Sequence, residues 1–132
     1  MNILINDLEI TKNVKILGYI SKKELASLYK FAEFFIYPSF YEGFGIPVVD
    51  ALNLCCPVIT SNISCLPEVV PEGYDFLVDP YSISDIRIKM ENMIKLSESE
   101  KKNLIEKNLN FAKKFAWQNT AKQTLEVYKN LE

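Results

Sequence analysis

Two carboxylates with seven residues between them bracket the stretch of this chain best suited to chemistry, Ser39-Phe-Tyr-Glu42-Gly-Phe-Gly-Ile-Pro-Val-Val-Asp50. Gly43 and Gly45 let the backbone turn sharply and approach a ligand with no Cβ in the way. Pro47 suits the first turn of a helix, where its missing N–H would be unpaired anyway. A helix beginning there presents unpaired N–H groups and about half a positive charge, which attracts phosphate. An ionised Glu42 only accepts hydrogen bonds and suits a pair of sugar hydroxyls, and Asp50 can accept from a diol such as ribose. Types and spacing together predict a site for a ligand carrying both hydroxyls and phosphates. Taken singly, each residue also has an ordinary role, as a solvated loop acid, an acid complementing the helix dipole, or a turn glycine.

The elements that must position these residues are legible around them. A continuous apolar-aromatic strand over 33–37, closed by Pro38, leads into the loop. The helix that follows, over about 46–55, is apolar nearly all round, and its polar positions Asp50 and Asn53 lie three apart on one stripe. Upstream, residues 14–17 read as a strand ended by Gly18. Ser21-Lys-Lys-Glu24 reads as a capping box opening a helix to about Ala32, with Leu25, Leu28, Tyr29 and Ala32 on one face. Residues 1–10 read either as a short strand or as the last turns of a helix. Downstream come a strand over 58–60, a short helix over 66–70 and a strand over 76–78 stopped by Asp79-Pro80. From Ser84 the chain reads as helical, with successive stripes at Ile86, Met90, Met93 and Ile94, then Leu104, Ile105, Leu109, Ala112 and Phe115, then Trp117, Ala121, Thr124, Leu125 and Tyr128. Such alternation predicts parallel βαβ units with right-handed crossovers. The expected fold is α/β, a doubly wound, Rossmann-like parallel sheet of four short strands with C-terminal helices. Residues 1–83 would form its core and 84–132 the helices. Ligands bind outside the carboxyl ends of strands in such sheets, where the Glu42 loop falls.

Composition excludes several classes. At 132 residues the chain is one domain, and 48% hydrophobic with 24% charged residues marks it as globular rather than disordered. No apolar run approaches the roughly 20 residues that cross a bilayer, and no basic segment precedes an apolar one at the N-terminus, so the cytoplasm is expected. A net charge of −2 argues against nucleic acid as a partner. Ten of the fifteen basic residues fall in 85–132. That bias suits either an anionic membrane surface or a solvated helix face, and the second reading carries more weight. With no histidine, an imidazole base, a Ser-His-Asp triad and a His-ligated metal are excluded within this chain. Cys55, Cys56 and Cys65 lack the spacing of a zinc or redox motif and read as buried or half-buried free thiols.

The stretch Glu42-Gly-Phe-Gly-Ile-Pro-Val-Val-Asp50 resembles the E-x7-E signature, usually EGFGLPxxE, of retaining GT-B glycosyltransferases of the family 4 type. Asn13-Val-Lys-Ile-Leu-Gly18-Tyr-Ile, Tyr37-Pro-Ser39, Pro57-Val-Ile-Thr-Ser-Asn62, Leu66-Pro-Glu68-Val-Val, Phe76-Leu-Val-Asp-Pro80 and Phe115-Ala-Trp117 fall in that family's order and spacing. The resemblance covers about 120 of the 132 residues and implies the C-terminal, donor-binding half of a GT-B fold, here incomplete. It implies that Glu42 is the catalytic-site acid and contacts the donor hexose together with Gly43, Phe44 and Gly45. Ile46, Pro47 and Val48 would bind the diphosphate, Asp50 the ribose, and the base would lie against Gly18, Tyr19 and Ile20. No metal or other cofactor is implied. The partners implied are a nucleotide-sugar donor and an N-terminal acceptor-binding domain that this chain does not contain, with peripheral membrane contact of the full-length enzyme at the inner face.

Three departures bear on these roles. Asp50 stands where the family has Glu, one methylene shorter. Cys55 stands where a glycine usually ends the motif helix. The basic residues that clamp the diphosphate belong to a strand–helix unit absent from this sequence, whose one arginine, Arg87, lies well outside the motif. The expected function is the donor-binding part of a retaining hexosyltransferase for cell-surface polysaccharide or glycolipid assembly, inactive in transfer as these residues alone. The alternative is a non-catalytic interaction module from a truncated or split gene. A flavodoxin-like regulatory domain fits the bare α/β pattern but lacks the expected acidic cluster and late-strand lysine.

Overall fold

The structure, a computed structural model, describes residues 2–131. Its centre is a parallel sheet of three strands in the order β1 (Phe35–Tyr37), β2 (Val58–Ser61), β3 (Leu77–Val78). Ile36 lies opposite Ile59, and Thr60 opposite Leu77. All four β2 residues are buried. Because successive side chains point to opposite faces, β2 is covered on both sides, as a central parallel strand must be. This is an α/β fold with a parallel sheet and C-terminal helices, in agreement with the fold class read from the sequence.

The helices begin where capping chemistry places them. In α2 (Lys22–Phe31) the Ser21 hydroxyl accepts from the Glu24 N–H at 3.3 Å while the Glu24 carboxylate accepts from the Ser21 N–H at 2.8 Å. The same reciprocal pair, Ser97 and Glu100, opens α5 (Glu98–Ala112). Ser82 caps α4 (Ile83–Lys95). Residues Asn2–Asp7 form a short helix, α1, which settles the ambiguity at the N-terminus.

The link from β1 to β2 is α3 (Ile46–Asn53), which buries Val48, Val49, Ala51 and Leu52 against β2 and α5. Complete removal of a Leu or Val side chain from water contributes about 1.5–3 kcal/mol, so this short helix is held mainly by packing. It ends in a left-handed turn with Cys55 at φ 61°. The Cys56 N–H reaches the Ala51 carbonyl at 3.0 Å and the Cys55 N–H the Leu52 carbonyl at 3.1 Å, the paired bonds of a Schellman motif. Cys55 therefore takes the conformation its glycine-like position requires.

One expected element does not form. Residues 14–17 are not a strand, and the sheet has three strands rather than four. Val14 is extended, at φ −115° and ψ 126°, so local preference acts as expected. A ladder also needs a neighbouring strand, however, and no described strand pairs with this segment. It lies instead over α2 and Phe34–Phe35 along a groove of about 560 Å³, with Ile16 and Leu17 exposed. The last helix, α6 (Trp117–Lys129), buries none of its residues, and its stripe of Trp117, Leu125 and Tyr128 faces outward.

Candidate functional site

Parallel pairing of β1 with β2 brings their carboxyl ends side by side, and everything that holds Glu42 comes from those two ends. The Tyr37 hydroxyl, on the last residue of β1, donates to Oε1 of Glu42 at 2.5 Å. The Ser39 hydroxyl donates to the same oxygen at 2.9 Å. Ser39 Oγ also lies 3.2 Å from the Tyr41 carbonyl. A serine has a single hydroxyl hydrogen, and the shorter, charge-assisted bond to the carboxylate is the stronger claim on it.

These bonds favour the ionised acid. The Tyr37 hydrogen bond first, and the Ser39 bond second, hold the Glu42 carboxyl below the usual glutamate range. The same Glu42 hydrogen bond is the main reason that Tyr37 is pushed up to about 12, with burial and the nearby Glu42 charge and Tyr29 adding to it.

The Glu42 backbone is gripped from the segment after β2. The Ser64 hydroxyl accepts from the Glu42 N–H at 3.3 Å and donates to its carbonyl at 2.8 Å, and the Cys65 thiol donates to that carbonyl at 3.2 Å. Ser64 is itself left-handed, at φ 60°, a conformation uncommon outside glycine. At the end of β2 itself, the Ser61 hydroxyl donates to the Ser39 carbonyl at 2.6 Å and the Thr60 hydroxyl to that of Tyr37 at 3.0 Å.

Beyond the acid the chain passes through Gly45, left-handed at φ 91°, into α3, with no side-chain cap. The N–H groups of Val48 and Val49 both turn to the Gly45 carbonyl, at 3.0 and 3.3 Å. Pro47 has none to offer. Among the described residues, the amides of Gly43, Phe44, Gly45 and Ile46 make no hydrogen bond; Gly43, Phe44 and Ile46 are exposed and Gly45 is buried.

Asp50 is exposed one turn into α3. With Asn53 it borders a cleft of about 230 Å³ whose other wall carries Phe44, Phe115, Trp117 and Gln118. Burial first, and the Asp50 charge second, push the Tyr29 hydroxyl on α2 up from its ordinary value. Gly18, at φ 64°, shares the groove over α2 with Ile20, and Tyr19 projects fully into solvent. Among the described residues, 18–20 make no hydrogen bond to the Glu42 loop. Glu42 through Asp50 are thus continuous from the loop into α3, while residues 18–20 line the groove over α2.

Sequence reasoning missed the residues that hold the acid, Tyr37, Ser39, Ser64 and Cys65, the Ser61 hydroxyl that braces Ser39, and the Phe115 ring that meets Phe44 edge-on at 5.6 Å. One signal was available: two hydroxyl residues stand five and three positions before a loop acid at a strand end. Among the described residues no three His, Cys, Asp or Glu side chains are grouped to hold a metal ion, and no helix is long and apolar enough to cross a membrane.

Comparison with known proteins adds a family. The family described as Glycosyl transferases group 1 matches residues 2–111. The O-antigen chain mannosyltransferase B of Escherichia coli is 36% identical over 118 residues, covering 89% of this chain and 30% of that protein. The MMP alpha-(1->4)-mannosyltransferase of Mycolicibacterium hassiacum is 35% identical over 134 residues, covering 95% of this chain and 31% of its own length. The chain thus spans under a third of these relatives. Among solved structures, the sucrose-phosphate synthase of Thermosynechococcus elongatus superposes with a TM-score of 0.88 at 25% identity, over 98% of this chain and 33% of that one.

Proposed function

The chain belongs to the glycosyl transferases group 1 family, and from that premise we propose that its Glu42 loop and α3 bind the nucleotide-sugar donor of a retaining hexosyltransferase. The observation that carries the reading is the Glu42 carboxylate held ionised beside unpaired main-chain donors at the head of α3. Glu42 meets the hexose hydroxyls, and the amides of residues 43–46 meet the diphosphate. Asp50 accepts from the ribose, and residues 18–20 border the base. The motif is then the E-x7-E motif of the family 4 type, in the C-terminal half of the two-domain enzyme, with residues 1–83 carrying the site and 84–132 the helices. Leaving-group charge is met by fixed dipoles aimed at the diphosphate, with no metal assigned a role. Relatives named as mannosyltransferases of O-antigen chains favour mannose as the hexose and a surface polysaccharide as the product.

Calorimetric titration of the chain with nucleotide-mannose, nucleotide-glucose and the bare nucleoside diphosphates tests this. Binding of a nucleotide sugar that weakens about tenfold or more on Glu42→Gln, the expected loss for a hydrogen bond to a charged group, is the supporting result. No heat at millimolar donor sinks it.

A second reading, a non-catalytic interaction module, draws on one observation. The outer edge of β1 pairs with no described strand, and Ile16, Leu17, Leu28 and Phe31 are exposed beside it. Unpaired edges and apolar patches of that kind mark association surfaces. A concentration-dependent dimer in sedimentation, without nucleotide-sugar binding, favours the module.

A further inference from the structure

The two hydrogen bonds on Glu42 fall on one atom. Tyr37 and Ser39 both donate to Oε1, at 2.5 and 2.9 Å, and among the described residues Oε2 accepts nothing. Free rotation of a loop carboxylate would make its oxygens equivalent. Here they are distinct, because two donors from the end of β1 converge on the same side of the group. Ser64 and Cys65 fix the backbone behind it.

We propose that Tyr37 is a positioning residue for Glu42: with Ser39 it occupies Oε1 and presents Oε2 alone to a ligand hydroxyl. An oxygen presented in this way accepts and cannot donate, so it selects a ligand group that carries a proton, a hydroxyl rather than a carbonyl or a second carboxylate. The inference rests on the donor-binding reading for its ligand and on geometry alone for the positioning.

The Tyr37 ring and its hydroxyl do separate jobs. The ring stacks on Phe35 with centroids 5.6 Å apart, inside the aromatic wall that also includes Tyr29, and a phenylalanine would keep that packing. Only the hydroxyl reaches Glu42. The strand is pinned independently, by the Thr60 hydroxyl on the Tyr37 carbonyl. Tyr37→Phe therefore removes the positioning bond while leaving the fold its contacts. The other titratable groups facing this cluster are Tyr29 from α2 and Cys65 from the segment after β2, and neither donates to the Glu42 carboxylate.

Two measurements on the chain separate the positioning from its use. The first follows the Glu42 side-chain carboxyl by carbon-13 NMR through an acid titration without ligand, in the wild type, Tyr37→Phe and Ser39→Ala. The wild-type carboxyl should titrate below the ordinary glutamate value and move up toward it in Tyr37→Phe, with a smaller move in Ser39→Ala. An unchanged titration in Tyr37→Phe overturns the proposal. The second compares binding of a nucleotide sugar with that of the matching nucleoside diphosphate. Tyr37→Phe should weaken the nucleotide sugar about three- to tenfold, one hydrogen bond's worth, and leave the diphosphate within about twofold. Equal weakening of both points to a structural role and overturns the proposal. A wild-type chain that binds neither ligand ends the donor-binding reading, and the NMR titration then decides the positioning by itself.

Discussion

A β-carbon added to Gly45 would lie 2.8 Å from Cδ2 of Leu66 and 3.4 Å from Cγ2 of Val69. Gly45 is therefore doubly constrained, by its left-handed φ of 91° and by the 3-10 turn over Leu66–Val69 that packs against it. Backbone strain for a non-glycine there costs about 1–2 kcal/mol, and overpacking about 1–3 kcal/mol more. Gly45→Ala should lose about 2–5 kcal/mol of stability in urea denaturation. A loss below about 1 kcal/mol would show that Leu66 gives way freely and that the head of α3 is softer than the packing implies.

Cys55 poses the opposite case. It occupies the left-handed position of the Schellman turn at φ 61°, and it is exposed, so no packing is lost on truncation. Glycine relieves about 1–2 kcal/mol of strain and returns part of it through the greater freedom of the unfolded chain. Cys55→Gly should gain about 0.5–1 kcal/mol, read as a higher urea midpoint at constant slope. A midpoint that stays or falls would mean that the cysteine makes a compensating contact.

Both positions show which parts of the molecule could be read in advance. The capping box at Ser21 and Glu24, Pro47 in the first turn, and the odd Cys55 are local signals, written within four residues of where they act. The misread strand at 14–17 is different in kind. Val14 to Leu17 have the extended preference of a strand, but pairing depends on a neighbour that the segment itself does not encode. The hold on Glu42 was also out of reach. Residues 33–37 read as one continuous apolar-aromatic strand, and nothing in that run says that the half-buried Tyr37 ring stacks on Phe35 while its hydroxyl reaches Glu42. Ser64 and Cys65 reach Glu42 from 22 and 23 positions away, a distance only the β1–β2 pairing closes.

On the alkaline side, two of the seven tyrosines should ionise last. Tyr37 is pushed up to about 12 chiefly by its bond to Glu42, and Tyr74 to about 12 chiefly by burial. A raised tyrosine favours the neutral form in the folded state. The stability it contributes is whole below about pH 10, the unfolded value, and is lost as pH rises toward 12. Absorbance at the phenolate band should show a late-titrating class of these two residues, with unfolding in that window, and Tyr37→Phe should remove one member. Seven tyrosines titrating together before unfolding would contradict the arrangement.

On the acid side, Glu24, Glu42 and Glu100 all have carboxyls held below the usual range, each mainly by a hydroxyl donor. Lowered acids contribute stability above the unfolded glutamate value, and that contribution disappears as pH falls through their folded values. Ser97→Ala removes both the cap on α5 and the donor to Glu100. It should destabilise by about 1 kcal/mol at neutral pH and by less in acid, once Glu100 is protonated in both proteins. A difference that does not shrink with acid would assign the whole effect to the Ser97 cap.

Asp50 offers the sharpest test of the ribose contact. A glutamate would carry the carboxylate about 1.5 Å further from α3, one carbon–carbon bond. Asp50 is exposed and borders an open cleft with Phe115 and Trp117, so the longer side chain meets no obstruction from the core. Glutamate is also the slightly better helix former, and Asp50→Glu should leave stability unchanged or a few tenths of a kcal/mol higher. If Asp50 accepts from the ribose diol, its short reach weakens or water-bridges that bond, and Asp50→Glu should tighten binding of nucleotide sugar and nucleoside diphosphate alike, by about two- to tenfold in calorimetry. Equal gains on both ligands would separate the ribose contact from the hexose contact at Glu42, which only the sugar-bearing ligand reports. Unchanged affinity for either ligand, in a chain that still loses its hexose preference on Glu42→Gln, would remove Asp50 from the site and leave the acid at Glu42 to work alone.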